Sequence, residues 1–78
     1  MTIATQTLDA RGLLCPMPIV RATQAIAPLA EGEVLKVLAT DRGAIADFPA
    51  WAHDTGNELL DSGEENGALF FIVKKGIA

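Results

Sequence analysis

Cys15 is the single cysteine of this 78-residue chain and its most chemically conspicuous residue. It lies after Gly12 in the segment Gly-Leu-Leu-Cys-Pro-Met-Pro, which leads into a stretch with helical spacing of apolar residues. Because a proline disfavours helical geometry in the residue before it and suits the first helical position, we expect Pro16 to begin a helix with Cys15 at or next to its N-cap. A thiolate there would face the positive end of the helix dipole, which predicts a thiol pKa lowered by less than about one unit.

Spacing alone leaves two interpretations of Cys15 open: a functional thiol held by stiff proline geometry, or a cysteine that serves only in packing. A single cysteine cannot form a disulfide within the chain, and a sequence with one cysteine and one histidine cannot make a zinc site on its own. We expect no metal and no cofactor. A hydrolytic pair with His53 is disfavoured, since so short a chain has little room for an orienting residue and a substrate pocket. Arg11 would add positive charge beside the thiol if the turn at Gly12 folds it back.

The elements that must position Cys15 follow the order βαβαββ. We expect strands at 6–9, 33–40, 58–65 and 68–75. We expect one helix from 16 that kinks or tightens at Ala27 and ends before Gly32, and a second from about 44 to 54. Asn66-Gly67 between the last two strands predicts a type I′ hairpin, and Gly56 a cap on the second helix. Gly63 is expected to mark a bulge.

The second helix carries a complication, because proline is tolerated only in a first helical turn. Pro49 therefore predicts either that Asp47 caps a helix beginning there or that a loose turn precedes it. The expected buried face comprises Ile45, Phe48, Trp51 and Ala52.

The predicted fold class is α/β, a two-layer α+β sandwich with both helices on one face of the sheet. Residues 68–73 are continuously apolar, so we place the last strand inside the sheet and its acidic hairpin partner at the edge. On the opposite face of the sheet, every second apolar residue of the last strand would stay uncovered by the helices. This apolar strip is either a partner or dimer surface, or is covered by the stems of Lys36 and Lys74.

Composition narrows the function classes. Ten acidic against six scattered basic residues give a net charge of −4, which disfavours direct nucleic-acid binding. The longest strongly apolar run has six residues, against roughly 20 for a bilayer-spanning helix. Residues 1–12 lack the features of a secretory signal, so we expect one cytoplasmic domain over 1–78.

Six blocks of the chain resemble, in order, the TusA-like (SirA-like) sulfur-carrier family. The first carries the signature Leu-Asp-x-x-Gly followed by Cys-Pro-x-Pro, and the resemblance extends from about Thr7 to Lys75. The other five blocks are 32–35, 39–44, 47–51, 55–59 and 71–75. Met17 fills a position that is acidic in some members, and Arg42 one that is proline in many.

The resemblance implies a four-stranded mixed sheet with the last strand internal. It also implies that Cys15 accepts sulfane sulfur as a persulfide from a cysteine desulfurase or rhodanese-like donor. The sulfur then passes to an acceptor protein, for tRNA thiolation, cofactor sulfuration or sulfur oxidation. The chain would be a sulfurtransferase-type carrier rather than a free-standing enzyme, and a monomer or weak dimer that contacts neither nucleic acid nor membrane.

Around Cys15, we assign supporting roles in the cysteine loop and helix start to five residues: Asp9, Arg11, Gly12, Pro16 and Pro18. Met17 and Asp41 are candidate partner contacts, although turn capping explains Asp41 equally well. The alternative function is a non-catalytic redox-sensing or regulatory binding module on the same fold.

Overall fold

The computed structural model describes residues 4–76, which form a four-stranded sheet with two helices on one face. The strands are β1 (Gln6–Ala10), β2 (Val34–Ala39), β3 (Glu58–Glu65) and β4 (Ala68–Lys74), and the helices are α1 (Met17–Ile26) and α2 (Ala44–Asp54). The sheet order is β1-β2-β4-β3, with β1 parallel to β2 and the other pairs antiparallel. The predicted element order, mixed sheet and internal last strand are therefore confirmed.

The core lies between the sheet and the two helices. Alternate residues of β2 and β4 are paired in register and turn towards the helices: Leu35 with Val73, Val37 with Phe71, and Ala39 with Leu69. Phe48 of α2 is fully buried against them, its ring stacked on Phe71 at 4.4 Å between centroids. This packing fixes α2 over the half of the sheet formed by β4 and β3. Burial of such large apolar side chains is the main source of stability in so small a fold.

The interpretation of Pro49 was wrong. The helix α2 begins at Ala44 and runs through Pro49 to Asp54, so neither a start at Asp47 nor a preceding loose turn is observed. Pro49 lies on the exposed side of α2 and lacks the N–H that would donate to the carbonyl of Ile45. Ile45 is also exposed, so its predicted place on the buried face is wrong and the lost hydrogen bond lies on the solvent side of the helix. Water can therefore hydrate that carbonyl.

The end of α2 agrees with expectation. Gly56 has a φ of +76°, and its N–H donates to the carbonyl of His53, while the N–H of Asn57 donates to the carbonyl of Ala52. This pattern is a Schellman motif, which satisfies carbonyl groups left free by the end of the helix.

The β3–β4 hairpin turns at Asn66-Gly67, both with positive φ, as a type I′ turn requires. The predicted bulge at Gly63 is wrong, because the register shift lies between Leu59 and Asp61. Gly63 instead pairs with Phe70, and a Cβ atom at position 63 would lie 3.0 Å from the phenyl ring. The glycine therefore makes room for an aromatic neighbour.

The sheet face away from the helices keeps the set Ala68, Phe70 and Ile72 rather than its alternative. Lys36 crosses this face, with its Nζ 5.8 Å from the centre of the Phe70 ring and 2.9 Å from Oε1 of Glu65. The stem of Lys36 thus covers part of the apolar strip, and Phe70 and Ile72 are half-buried.

Candidate functional site

Cys15 lies on the loop between β1 and α1, at the edge of the sheet where β1 and β2 both end. Gly12 turns the chain with a φ of +83°, and its N–H donates to Oγ1 of Thr40 at 2.9 Å. The N–H of Leu13 donates to the carbonyl of Ala10. Because β1 and β2 are parallel, the loops that follow them meet at this edge and hold Cys15 beside the residues after β2.

The start of α1 differs from prediction by one residue. Pro16 is the N-cap rather than the first helical residue, Met17 begins the helix, and Cys15 lies next to the N-cap as expected. The Cys15–Pro16 peptide bond is cis. Pro16 and Pro18 have no N–H group, and the N–H of Met17 donates to the carbonyl of Leu14 at 2.8 Å. The first turn of α1 therefore has little to offer a thiolate.

The Cys15 side chain is exposed and contacts carboxylates. Its Sγ donates a hydrogen bond to Oδ2 of Asp47 at 3.2 Å, and its backbone N–H donates to Oδ2 of Asp41 at 2.8 Å. Asp41 lies in the loop after β2, and Asp47 lies near the beginning of α2. The site thus brings Cys15 into contact with residues that lie 26 and 32 positions further along the chain.

These contacts reverse the expected direction of the thiol pKa. The hydrogen bond to Asp47 raises the pKa of Cys15 above its usual value, and desolvation and the negative charges of Asp47 and Asp41 act in the same direction. The physical reason is that a thiolate beside carboxylates loses its hydrogen bond and meets like charge. The prediction considered only the helix dipole and left out the carboxylate of Asp47, which accepts the hydrogen bond of the thiol.

Arg11 does not reach the thiol. Its guanidinium forms a two-pronged ion pair with Asp9, at 2.8 Å from Nε to Oδ1 and 2.9 Å from the second nitrogen to Oδ2. This pair holds the pKa of the Asp9 carboxyl at about 2, chiefly through the side-chain hydrogen bonds. Arg11 and Asp9 therefore brace the end of β1 rather than activate Cys15.

A shallow groove of about 390 Å³ opens beside the sulfur. Its walls are partly apolar, and it is lined by Cys15, Pro16, Ile19, Asp47, Ala50, Trp51 and Asp54. Trp51 is held in place because its indole N–H donates to Oγ1 of Thr23 on α1 at 3.1 Å. The groove is large enough to admit a short segment of a partner chain or a small thiol next to Cys15.

Apolar side chains lie near the thiol, whereas His53 lies outside the groove. Met17 is 39% exposed and Leu14, beside Cys15, is 74% exposed, so apolar side chains lie open around the thiol. His53 is almost fully exposed and lies 3.5 Å from Asp54, outside the set that lines the groove.

Sequence reasoning missed Asp47 as a neighbour of the thiol. The signal was available in the topology: parallel strands bring the segments after β1 and β2 together, and Asp47 lies in the first turns of the helix after β2. The local sequence pattern around Pro49 predicts only a helix-capping role for residue 47.

Within residues 4–76, no group of three or more acidic, histidine or cysteine side chains is placed to hold a metal ion. The same residues contain no helix of the length and apolarity that a membrane crossing requires.

Comparison with known proteins gives consistent results. Residues 6–75 match the family model described as Sulfurtransferase TusA. The chain is 51% identical over 70 residues to the sulfur carrier protein TusA of Allochromatium vinosum, which covers 90% of this chain and 92% of that protein. It is 49% identical to a putative sulfur carrier protein of Neisseria meningitidis, over 90% of this chain and 95% of the other. A SirA-like protein from Desulfitobacterium hafniense has a similar solved structure, with a TM-score of 0.74, 32% identity and coverage of 94% and 100%.

Proposed function

We propose that Cys15 holds the transferred sulfur, from the premise that this chain belongs to the TusA family of sulfurtransferases and is a sulfur carrier. The observation that carries the assignment to Cys15 is the exposed free thiol on a braced loop at the edge of the sheet. The sequence holds no second cysteine. A persulfide on Cys15 therefore cannot be released as an internal disulfide, and another molecule must take the sulfur.

The proposed transfer is thiol exchange in two steps. Sγ of Cys15 attacks the outer sulfur of a donor persulfide; the donor's sulfur–sulfur bond breaks and the donor leaves as a thiol. An acceptor thiolate later attacks the outer sulfur on Cys15, and Cys15 returns to its thiol form. No electrons are gained or lost overall, so the carrier needs no cofactor or metal.

A sulfur carrier has a donor and an acceptor as partners. We propose a cysteine desulfurase or rhodanese-like protein as donor, and an acceptor that serves tRNA thiolation, cofactor sulfuration or sulfur oxidation. The exposed Leu14 and Met17, with Asp41 behind the loop, would form the contact region for both partners. Docking of successive partners at one site suits a monomer or weak dimer, and a carrier rather than a free-standing enzyme.

The proposal also covers organisation and location. The whole chain, 1–78, would form one carrier domain, because the family match extends over 6–75 and the core joins both helices to the sheet. We place it in the cytoplasm, where reducing conditions keep a lone thiol free.

The test is incubation with a cysteine desulfurase and cysteine, followed by intact-mass measurement. The wild-type protein should gain the mass of one sulfur atom, which a reductant should remove, and the Cys15→Ser variant should gain nothing. A wild-type protein that stays unmodified by active donors of both classes would refute the proposal. A Cys15→Ser variant that keeps full function in cells would favour the regulatory alternative.

A further inference from the structure

We propose that Asp47 biases the sulfur relay towards delivery: it keeps empty Cys15 as a thiol and disfavours the loaded persulfide anion, so that sulfur is readily given up. This inference deepens the proposed function and rests on it. It concerns the carboxylate that accepts a hydrogen bond from the reacting sulfur atom, at 3.2 Å from Sγ of Cys15 to Oδ2 of Asp47.

The contact is held by the fold. Asp47 is half-buried and precedes Phe48, which is fully buried and stacked on Phe71 of β4. On the other side, the backbone of Cys15 is held by Asp41. The sulfur and the carboxylate therefore meet between two anchored segments rather than through a mobile surface side chain.

The hydrogen bond discriminates between the states of Cys15. A thiol can donate its proton to Asp47, whereas in a persulfide Sγ is bonded to two atoms and has no proton to give. A hydropersulfide is a stronger acid than the corresponding thiol, so at neutral pH the loaded state carries the greater negative charge. That charge would lie beside Asp47 and Asp41, with Asp54 lining the same groove.

The positive charge on the loop of Cys15 does little to neutralise the negative charge of the persulfide. The basic residue closest in sequence to the thiol, Arg11, is bound by both oxygens of Asp9. The hydrogen bond and charge of Asp47 also raise the thiol pKa, in agreement with the geometry. Acidic groups on the β2–α2 loop and on α2 thus act together on the sulfur.

The loading step balances without an oxidant. The Cys15 thiol and a donor persulfide anion give the Cys15 persulfide anion and the donor thiol. One sulfur–sulfur bond forms at Sγ and one breaks in the donor, and the proton of Sγ ends on the departing donor sulfur. Because Asp47 favours the thiol over the persulfide anion, it opposes loading and favours delivery of the sulfur.

The test compares Asp47→Asn with Asp61→Asn, a matched loss of one negative charge on exposed β3. The first readout is the pH profile of Cys15 alkylation by iodoacetamide, a neutral reagent. We expect Asp47→Asn to lower the thiol pKa and to raise the rate at neutral pH at least about threefold, as expected for loss of a charge-assisted hydrogen bond. Asp61→Asn should follow the wild type.

The second readout is the loaded fraction, measured by intact mass in a fixed mixture of glutathione and glutathione persulfide. Asp47→Asn should be more fully loaded than wild type. An unchanged alkylation profile, or a lower loaded fraction in Asp47→Asn, would overturn the inference. If Asp47→Asn does not fold by circular dichroism, Asp47→Ser serves in its place with the same expectations.

The two proposals fail in different ways. Wild-type protein that takes up no sulfur would refute the carrier function, whatever Asp47 does. Wild-type protein that loads normally while the Asp47 variants match it in both readouts would refute only the role of Asp47.

Discussion

Phe48→Ala should remove much of the stability of the fold, because Phe48 links α2 to the sheet. The ring is fully buried, stacked on Phe71 and edge-on to Trp51 at 5.6 Å. Truncating a buried phenylalanine to alanine costs about 3–5 kcal/mol. At about 0.05–0.15 kcal/mol per residue, a 78-residue chain has about 4–12 kcal/mol in total.

The assay is urea unfolding followed by far-ultraviolet circular dichroism. With a slope of about 1 kcal/mol per molar urea for a protein of this size, the midpoint should fall by about 3 M or more. Phe70→Ala is the matched control, since it deletes the same ring from the opposite face, where the side chain is only half-buried. It should cost about 1 kcal/mol. A loss in Phe70→Ala as large as in Phe48→Ala would refute the placement of the core.

Three further predictions concern other contacts. Arg11→Ala should move the Asp9 carboxyl pKa from about 2 towards its ordinary 3.8 in an NMR titration, because its hydrogen-bond donor is lost; the stability that this pair gives wild type should be present above pH 3.8 and vanish as pH falls through about 2. An Asp9 pKa that stays the same in Arg11→Ala would disprove the pairing. Gly67→Ala should lower the free energy of unfolding by about 1–2 kcal/mol in urea, since alanine disfavours the positive φ of the turn; an unchanged midpoint would argue against the type I′ geometry. Glu65→Gln should cost under about 1 kcal/mol, and the difference should shrink in 1 M salt, because the ion pair with Lys36 is partly exposed. A salt-independent loss would show that charge is not its cause.

The fold was predictable where local sequence signals agree with long-range packing. Asn66-Gly67 fixes a hairpin by conformation, and the apolar run of β4 requires a covered, internal position. Pro49 shows the limit of local rules: a helix can run through a proline when packing of neighbours such as Phe48 and Ala52 compensates and the lost bond faces solvent.

The site was predictable only in part. Cys15 and its place beside a helix N-cap follow from the Cys-Pro-x-Pro segment. Its electrostatic surroundings do not, because the thiol pKa depends on carboxylates that the fold brings from 26 and 32 residues away. The Asp9–Arg11 ion pair could not be predicted either, although its residues are only two positions apart. Arg11 could turn towards either Asp9 or the thiol, and only the three-dimensional geometry decides between them.

The assembly of the cysteine environment from two distant segments makes the sulfhydryl a kinetic reporter of folding. In most proteins a cysteine is labelled faster after denaturation because it becomes accessible. Here the sulfur is already accessible in the native state, and unfolding instead separates it from Asp41 and Asp47. A brief pulse of neutral electrophile should therefore label denatured molecules faster than native ones. The labelled fraction then reports loss of the neighbouring carboxylates rather than a gain in exposure of the sulfur.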